Sequence, residues 1–162
     1  MGHTCNSIII NAPYEKVFDI SNNIERWTEL FGTEYKEAKI LKREGNKLTF
    51  RLTDDEDNSW QSYRLLFKEY NFAYAQKLPP EFPFKYMKII WLYTSKPGGM
   101  ALAKGSQTTD FCPVEMIWIQ HFEMDDKAKF NDEKVEGFIN KHSQENLKIF
   151  KDVIEKEAGA SG

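Results

Sequence analysis

From Tyr35 to Met124 the chain repeats short stretches of alternating apolar and polar residues set apart by turn signals. Asp132–Glu157 then switches to apolar residues at helical spacing. A period of two lines one face of a strand, and a period of about 3.6 lines one stripe of a helix. A run of half-apolar strands must bury one face. The last helix carries Val135, Phe138, Ile139, Leu147, Phe150, Val153 and Ile154 on its stripe, and it alone is long enough to cover that face. The expectation is an α+β fold: a curved antiparallel sheet around a long C-terminal helix, with two short helices before it.

The boundaries follow from local signals. Ser7–Ile10 is β-branched and reads as a strand. Asn11-Ala-Pro13 reads as a helix start with Asn11 as cap and Val17, Phe18 and Ile20 as its apolar face. Ile24–Phe31 reads as a second short helix carrying Trp27, Leu30 and Phe31. Strands are expected at Tyr35–Arg43, Leu48–Leu52, Trp60–Phe67, Phe72–Gln76, Tyr86–Thr94 and Val114–Met124. The first two are joined by the turn Glu44-Gly45-Asn46. Leu78–Phe84 holds three prolines and reads as a loop or an edge. Ser95–Pro113 is polar and much longer than the roughly two to five residues usual for a hairpin loop. Asn131 or Asp132 caps the last helix, and residues 158–162 read as a frayed tail.

With 162 residues, 41% hydrophobic and 29% charged, residues 1–162 have what one globular domain needs to bury a core. Lys and Arg number 22 against 25 acidic residues, a net charge of -3, and no basic stripe interleaves with aromatics. Nucleic acid is thereby a poor partner. Cys5 and Cys112 cannot build a disulfide framework and read as reduced thiols. No secretory leader opens the chain, Asn6 stands where a myristoylated start needs Ser or Thr, and Ser7–Asn11 is too short for a membrane span. The expectation is a cytoplasmic protein with no membrane span.

Strand alternation decides which side chains meet. One face carries Asn58, Trp60, Ser62, Arg64 and Leu66; the next strands contribute Met87, Ile89, Trp91 and Tyr93, then Val114, Met116, Trp118, Gln120, Phe122 and Met124. If these share the concave face, they make an aromatic and methionine-lined hollow with Ser62, Arg64 and Gln120 pointing inward. His142 and Asn146, four residues apart on the helix, would face the sheet. A mostly apolar pocket with a few placed polar groups is what a small-molecule site requires. The same stripes also suit a filled core, Arg64 beside a Trp also suits an edge residue reaching water, and His142 and Asn146 also suit ordinary helix positions.

Other chemistry is weakly signalled. His3, His121 and His142 form no metal-binding spacing, and His3 with Cys5 makes only two ligands, so no metal is expected. Gly98-Gly99 does not lead from a strand into a helix as a phosphate loop does.

Four segments carry a resemblance: Asn6-Ser-Ile-Ile-Ile-Asn-Ala-Pro13, Ile24-Glu-Arg-Trp-Thr-Glu-Leu-Phe31, Phe84-Lys-Tyr-Met87 and Trp118-Ile-Gln-His-Phe-Glu-Met124. Together they resemble the bacterial polyketide aromatase/cyclases of the START-like, helix-grip superfamily, over about Asn6 to Glu155. The resemblance implies an enzyme without a cofactor, acting on a poly-β-ketone chain delivered by an acyl carrier protein. By position it makes Arg64 the pocket arginine and Tyr35 a participant in proton transfer. It makes Trp27, Phe31, Trp60, Ser62, Met87, Trp91, Trp118, Gln120 and Asn146 pocket-lining, with His142 added from the helix stripe. In some members a His and an Asp stand at the positions of Gln120 and Asn146. Met100–Pro113 is longer than the family's hairpin.

The implied reaction is an aldol ring closure followed by loss of water. Arg64 would stabilise the oxyanion, and Tyr35 or a water held by Ser62 and Gln120 would move protons. Two other uses stay open: a non-catalytic carrier of a lipid, quinone or other hydrophobic molecule, and a regulatory module whose Ser95–Pro113 loop binds a protein.

Overall fold

The computed structural model describes residues 1–96 and 112–160. Seven strands form one antiparallel sheet: β1 (Gly2–Ile10), β2 (Tyr35–Glu44), β3 (Lys47–Asp54), β4 (Ser59–Phe67), β5 (Phe72–Lys77), β6 (Phe84–Ser95) and β7 (Val114–Met124). Their order is β1-β7-β6-β5-β4-β3-β2, so β2 to β7 run as a meander and the N-terminal strand closes beside the last. Two short helices, α1 (Tyr14–Ser21) and α2 (Trp27–Leu30), follow β1, with a single 3₁₀ turn at Ile24–Arg26 leading into α2. The long α3 (Asp132–Ala160) packs chiefly on β1, and also on β7, α1 and α2. This is the antiparallel sheet with a long closing helix that the strand meander predicts, in the helix-grip architecture that the resemblance implies. Among the described residues, no helix is long and apolar enough to cross a membrane.

Local chemistry explains most of the boundaries. Gly45 takes φ 60 at the first of the two positions between β2 and β3, where a side chain would be strained. Asn131 caps α3, its Oδ1 accepting the Lys134 N–H at 3.0 Å. Asn11 does not cap α1: Pro13 stands at that position with no side-chain cap bond, and the Asn11 N–H goes to Glu155 at 2.8 Å.

Most elements run beyond their sequence limits, and in β1, β6 and α3 the extension bears on the core or the site. The inner row at the start of β1, including Thr4 and Asn6, is polar, so apolar alternation does not reveal it. Thr4 bonds to Gln120 on the adjacent β7, and Asn6 is satisfied from the other side of the core: its Nδ2 donates to Asn140 Oδ1 at 2.9 Å, and its Oδ1 accepts from Gln144 Nε2 at 3.3 Å. β6 begins at Phe84, and a register shift between Phe84 and Tyr86 turns both Phe84 and Met87 inward. α3 continues through Ala160, so residues 158–160 extend the helix instead of fraying; residues 161 and 162 lie outside the described residues. Residues 97–111, most of the Ser95–Pro113 connection and of Met100–Pro113, also lie outside them.

The core sits between the sheet's inner face and α3. Phe150 is fully buried and stands edge-to-face against Phe31, Trp91 and Trp118 at centroid distances of 4.9, 5.9 and 5.8 Å. Leu147 and Ile154 complete the helix stripe. Three of the expected core positions on α3 differ: Val153 and Ile139 are half-buried and Phe138 is 47% exposed, the last two because the N-terminal half of α3 borders a cavity instead of packing flat on the sheet.

Candidate active site

Between α3 and the inner face of β3 to β7 lies a cavity of about 910 Å³. The exposed rings of Phe82, before β6, and Phe138, on α3, stand at its rim together with Asp54, Asn58 and Ser59 from the β3–β4 turn. The Leu78–Pro83 segment that carries Phe82 has cis bonds before Pro80 and Pro83. Its interior is aromatic. Trp91 and Trp118, side by side on paired strands, stack at 4.5 Å with an interplanar angle of 5°. Trp27 adds a third indole 6.0 Å from Trp91, anchored by its own N–H to the Ser21 carbonyl at 3.1 Å.

The strand alternation of β4 carries Arg64 into this wall, where it is only 2% exposed. Its guanidinium carbon lies 3.8 Å from the centre of the Trp91 ring and 5.6 Å from that of Trp27. Nε donates to Asn22 Oδ1 at 2.8 Å. The Asn22 amide in turn donates to the Phe18 carbonyl and to the Tyr93 hydroxyl, both at 2.9 Å. No ion pair between Arg64 and a carboxylate occurs among the described residues. Burial therefore pulls its pKa from 12.5 down to about 10, which still leaves it charged at neutral pH.

A second polar cluster crosses from the sheet edge to α3. Glu34, immediately before β2, accepts from His142 Nε2 at 2.7 Å through Oε1 and from Asn146 Nδ2 at 2.9 Å through Oε2. The Tyr35 hydroxyl also bonds to this carboxylate. Burial alone would raise the Glu34 pKa, but the bonds from His142, Tyr35 and Asn146 outweigh it and hold the carboxyl below its ordinary range. The bond to Glu34 holds the His142 imidazole above 6.5 against the opposing pull of desolvation. Burial, and then the Glu34 charge, push the Tyr35 phenol well above 10, so it stays protonated at neutral pH.

Arg64, Tyr35, Trp27, Phe31, Trp60, Ser62, Met87, Trp91, Trp118, Gln120, His142 and Asn146 all lie on the cavity wall. One is placed differently from expectation. His142 does not face the sheet; its half-exposed ring turns to Glu34 at the flank of the cavity. Gln120 is held by protein groups, accepting from Thr4 Oγ1 and donating to Ser143 Oγ, both at 3.4 Å. Glu34, Asn22, Ser143 and Phe84 were not singled out from the sequence. For Glu34 the available signal was a carboxylate adjoining Tyr35 and within reach of two polar residues one helical turn apart. Among the described residues, no group of three or more His, Cys, Asp or Glu side chains is arranged to hold a metal ion.

Comparison with known proteins bears on this geometry. Two Streptomyces proteins, each named "Putative polyketide cyclase", are similar to the chain. The one from Streptomyces cyaneus is 36% identical over 160 residues, covering 96% of this chain and 95% of its own length. The one from Streptomyces halstedii is 41% identical over 106 residues, covering 62% of this chain and 95% of its own length. Among solved structures, the ZhuI aromatase/cyclase from Streptomyces sp. R1128 superposes with a TM-score of 0.71 at 16% identity, over 97% of this chain and 93% of that one. The di-domain aromatase/cyclase BexL of the BE-7585A biosynthetic pathway gives 0.72 at 13% identity, over 96% of this chain and 47% of BexL. At such identities the superpositions speak for the fold alone. A family model described as polyketide cyclase / dehydrase and lipid transport matches residues 10–131. With that match and the full-length likeness to the Streptomyces cyaneus protein, the chain belongs to the polyketide cyclase / dehydrase and lipid transport family.

Proposed function

We propose that the protein is a polyketide aromatase/cyclase: it folds an acyl-carrier-protein-bound poly-β-ketone in the cavity, closes one ring by intramolecular aldol addition, and removes water. The observation that carries this reading is the Arg64 guanidinium in the wall of an aromatic cavity, charged and, among the described residues, without a carboxylate partner. A buried cation of that kind costs stability, and a ligand that develops negative oxygen gives the cost a use.

A free polyketone can close in several registers. Walls of Trp27, Trp60, Trp91 and Trp118 select one by holding a single carbonyl–methylene pair in contact. As the new carbon–carbon bond forms, the carbonyl electron pair moves to oxygen. Asn22 already occupies Arg64 Nε, so the terminal guanidinium nitrogens are the ones that meet this oxygen. Aldol addition and loss of water are redox-neutral overall, so the reaction class calls for no cofactor.

The test is reconstitution with a polyketide synthase and its carrier protein. Added wild-type protein is expected to replace spontaneous products by one cyclised product, and Arg64→Ala to return the spontaneous mixture while keeping the wild-type circular dichroism. Wild-type products from Arg64→Ala would remove Arg64 from the mechanism. The family description also covers lipid transport, and the cavity would serve a carrier of a hydrophobic molecule equally well. Unchanged spontaneous products in the presence of wild-type protein would favour that carrier.

A further inference from the structure

Resting on the cyclase reading, we propose that His142 is the group that moves the proton in the dehydration step, with Glu34 as its positioning residue.

The argument starts from where the four residues come from. Glu34 and Tyr35 stand at the entry to β2, His142 and Asn146 one turn apart on α3, and all four lie on the wall of the one cavity. Both Glu34 oxygens are engaged, Oε1 by His142 at 2.7 Å and Oε2 by Asn146 at 2.9 Å, so the carboxylate is fixed in position. A carboxylate that accepts at Nε2 requires the hydrogen there, which leaves Nδ1 as the nitrogen available to a ligand.

Loss of water from a β-hydroxy ketone needs one group to take the α-proton and one to give a proton to the departing oxygen. Arg64 does neither at neutral pH, and Tyr35 holds its proton too firmly to act as a base. His142 carries an imidazole whose second nitrogen is not taken by Glu34; the bond to Glu34 raises its pKa from 6.5, and the charged or titratable groups that act on it are Glu34 across the gap and Glu145 on its own helix. Tyr35 reaches it through Glu34.

The step balances on one imidazole. Neutral His142 takes the α-proton at Nδ1, and the C–H electron pair forms an enolate whose oxygen lies against Arg64. That pair then returns to make the carbon–carbon double bond as the C–O bond breaks. The leaving oxygen takes the proton back from Nδ1 and departs as water, and His142 is restored.

The experiment combines the reconstituted synthase with a titration of the purified protein by NMR. With His142→Gln, ring closure at the wild-type register is expected to survive while the dehydrated product forms about a hundredfold more slowly, and a cyclised product heavier by one water accumulates. With Glu34→Gln, dehydration falls less, and the His142 ring titrates closer to 6.5 than in wild type. Dehydrated product at the wild-type rate from His142→Gln overturns the proposal and leaves the cyclase reading standing. An unmoved His142 titration in Glu34→Gln overturns the positioning role. Spontaneous products in the presence of the wild-type protein overturn the cyclase reading and the proton-transfer role with it.

Discussion

Arg64 sets the terms of the site. Its folded pKa of about 10 lies below the ordinary 12.5, so the charged form is penalised in the fold and that penalty is in full force at neutral pH. Arg64→Met removes the buried charge, fills a similar volume, and loses one bond to Asn22, which keeps its own amide contacts to Phe18 and Tyr93. The expected outcome is a stability within about 1 kcal/mol of wild type by urea unfolding, because removing a buried charge offsets the lost hydrogen bond. A loss of several kcal/mol would mean that the guanidinium serves the fold and not a ligand. Arg64 could be read from the sequence because Trp60, Ser62 and Arg64 alternate on one strand. Asn22 could not: it ends a short helix, and no period connects it with a side chain 42 residues further on.

At the scale of elements, α3 is joined to the sheet in two chemically different ways. Along its C-terminal half the contact is apolar. Phe150, enclosed by Phe31, Trp91 and Trp118, is expected to cost about 3–5 kcal/mol when changed to Ala, read as a lower urea midpoint at unchanged slope. Nearer its N-terminus the contact is mixed, with Val135 packed on Phe122 and Met124 beside polar bonds, and one of these, the Glu34–His142 pair, answers to pH. His142 titrates above 6.5 in the fold, so its share of stability is whole below 6.5 and is lost as pH rises through the raised value. Glu34 titrates below 4.5, so its share is whole above 4.5 and is lost as pH falls through the lowered value. The melting temperature of wild type minus that of Glu34→Gln is therefore expected to be greatest between pH 4.5 and 6.5 and to shrink on either side. A difference that does not vary with pH would show that the pair does not titrate as a unit. The apolar half of α3 was legible from its 3.6-residue period. The polar half was not, because Glu34 precedes β2 where no alternation applies, and its partner Asn146 lies 112 residues away. The first half of β1 escaped for a related reason: Thr4 and Asn6 on its inner row meet polar groups of β7 and α3, and apolar periodicity registers only faces that bury hydrocarbon.

For the whole molecule, a cavity of about 910 Å³ is stability given up, since the side chains around it lack the contacts that a filled core supplies. If the hollow exists for a ligand, filling it from within should separate stability from function. Ala75 on β5 is the place to test this: it is 4% exposed, lies on the cavity wall, and pairs across the sheet with Arg64 on one side and Ile89 on the other. Ala75→Phe adds a ring to the cavity wall next to Arg64. It is expected to keep or raise the melting temperature, because added apolar area is buried where there is room for it. In the reconstituted synthase the same variant should yield the spontaneous product mixture, since the folded chain no longer fits beside Arg64. A stable Ala75→Phe protein that still directed ring closure would show that cyclisation takes place elsewhere, and the inner face of the sheet would then be scaffold only.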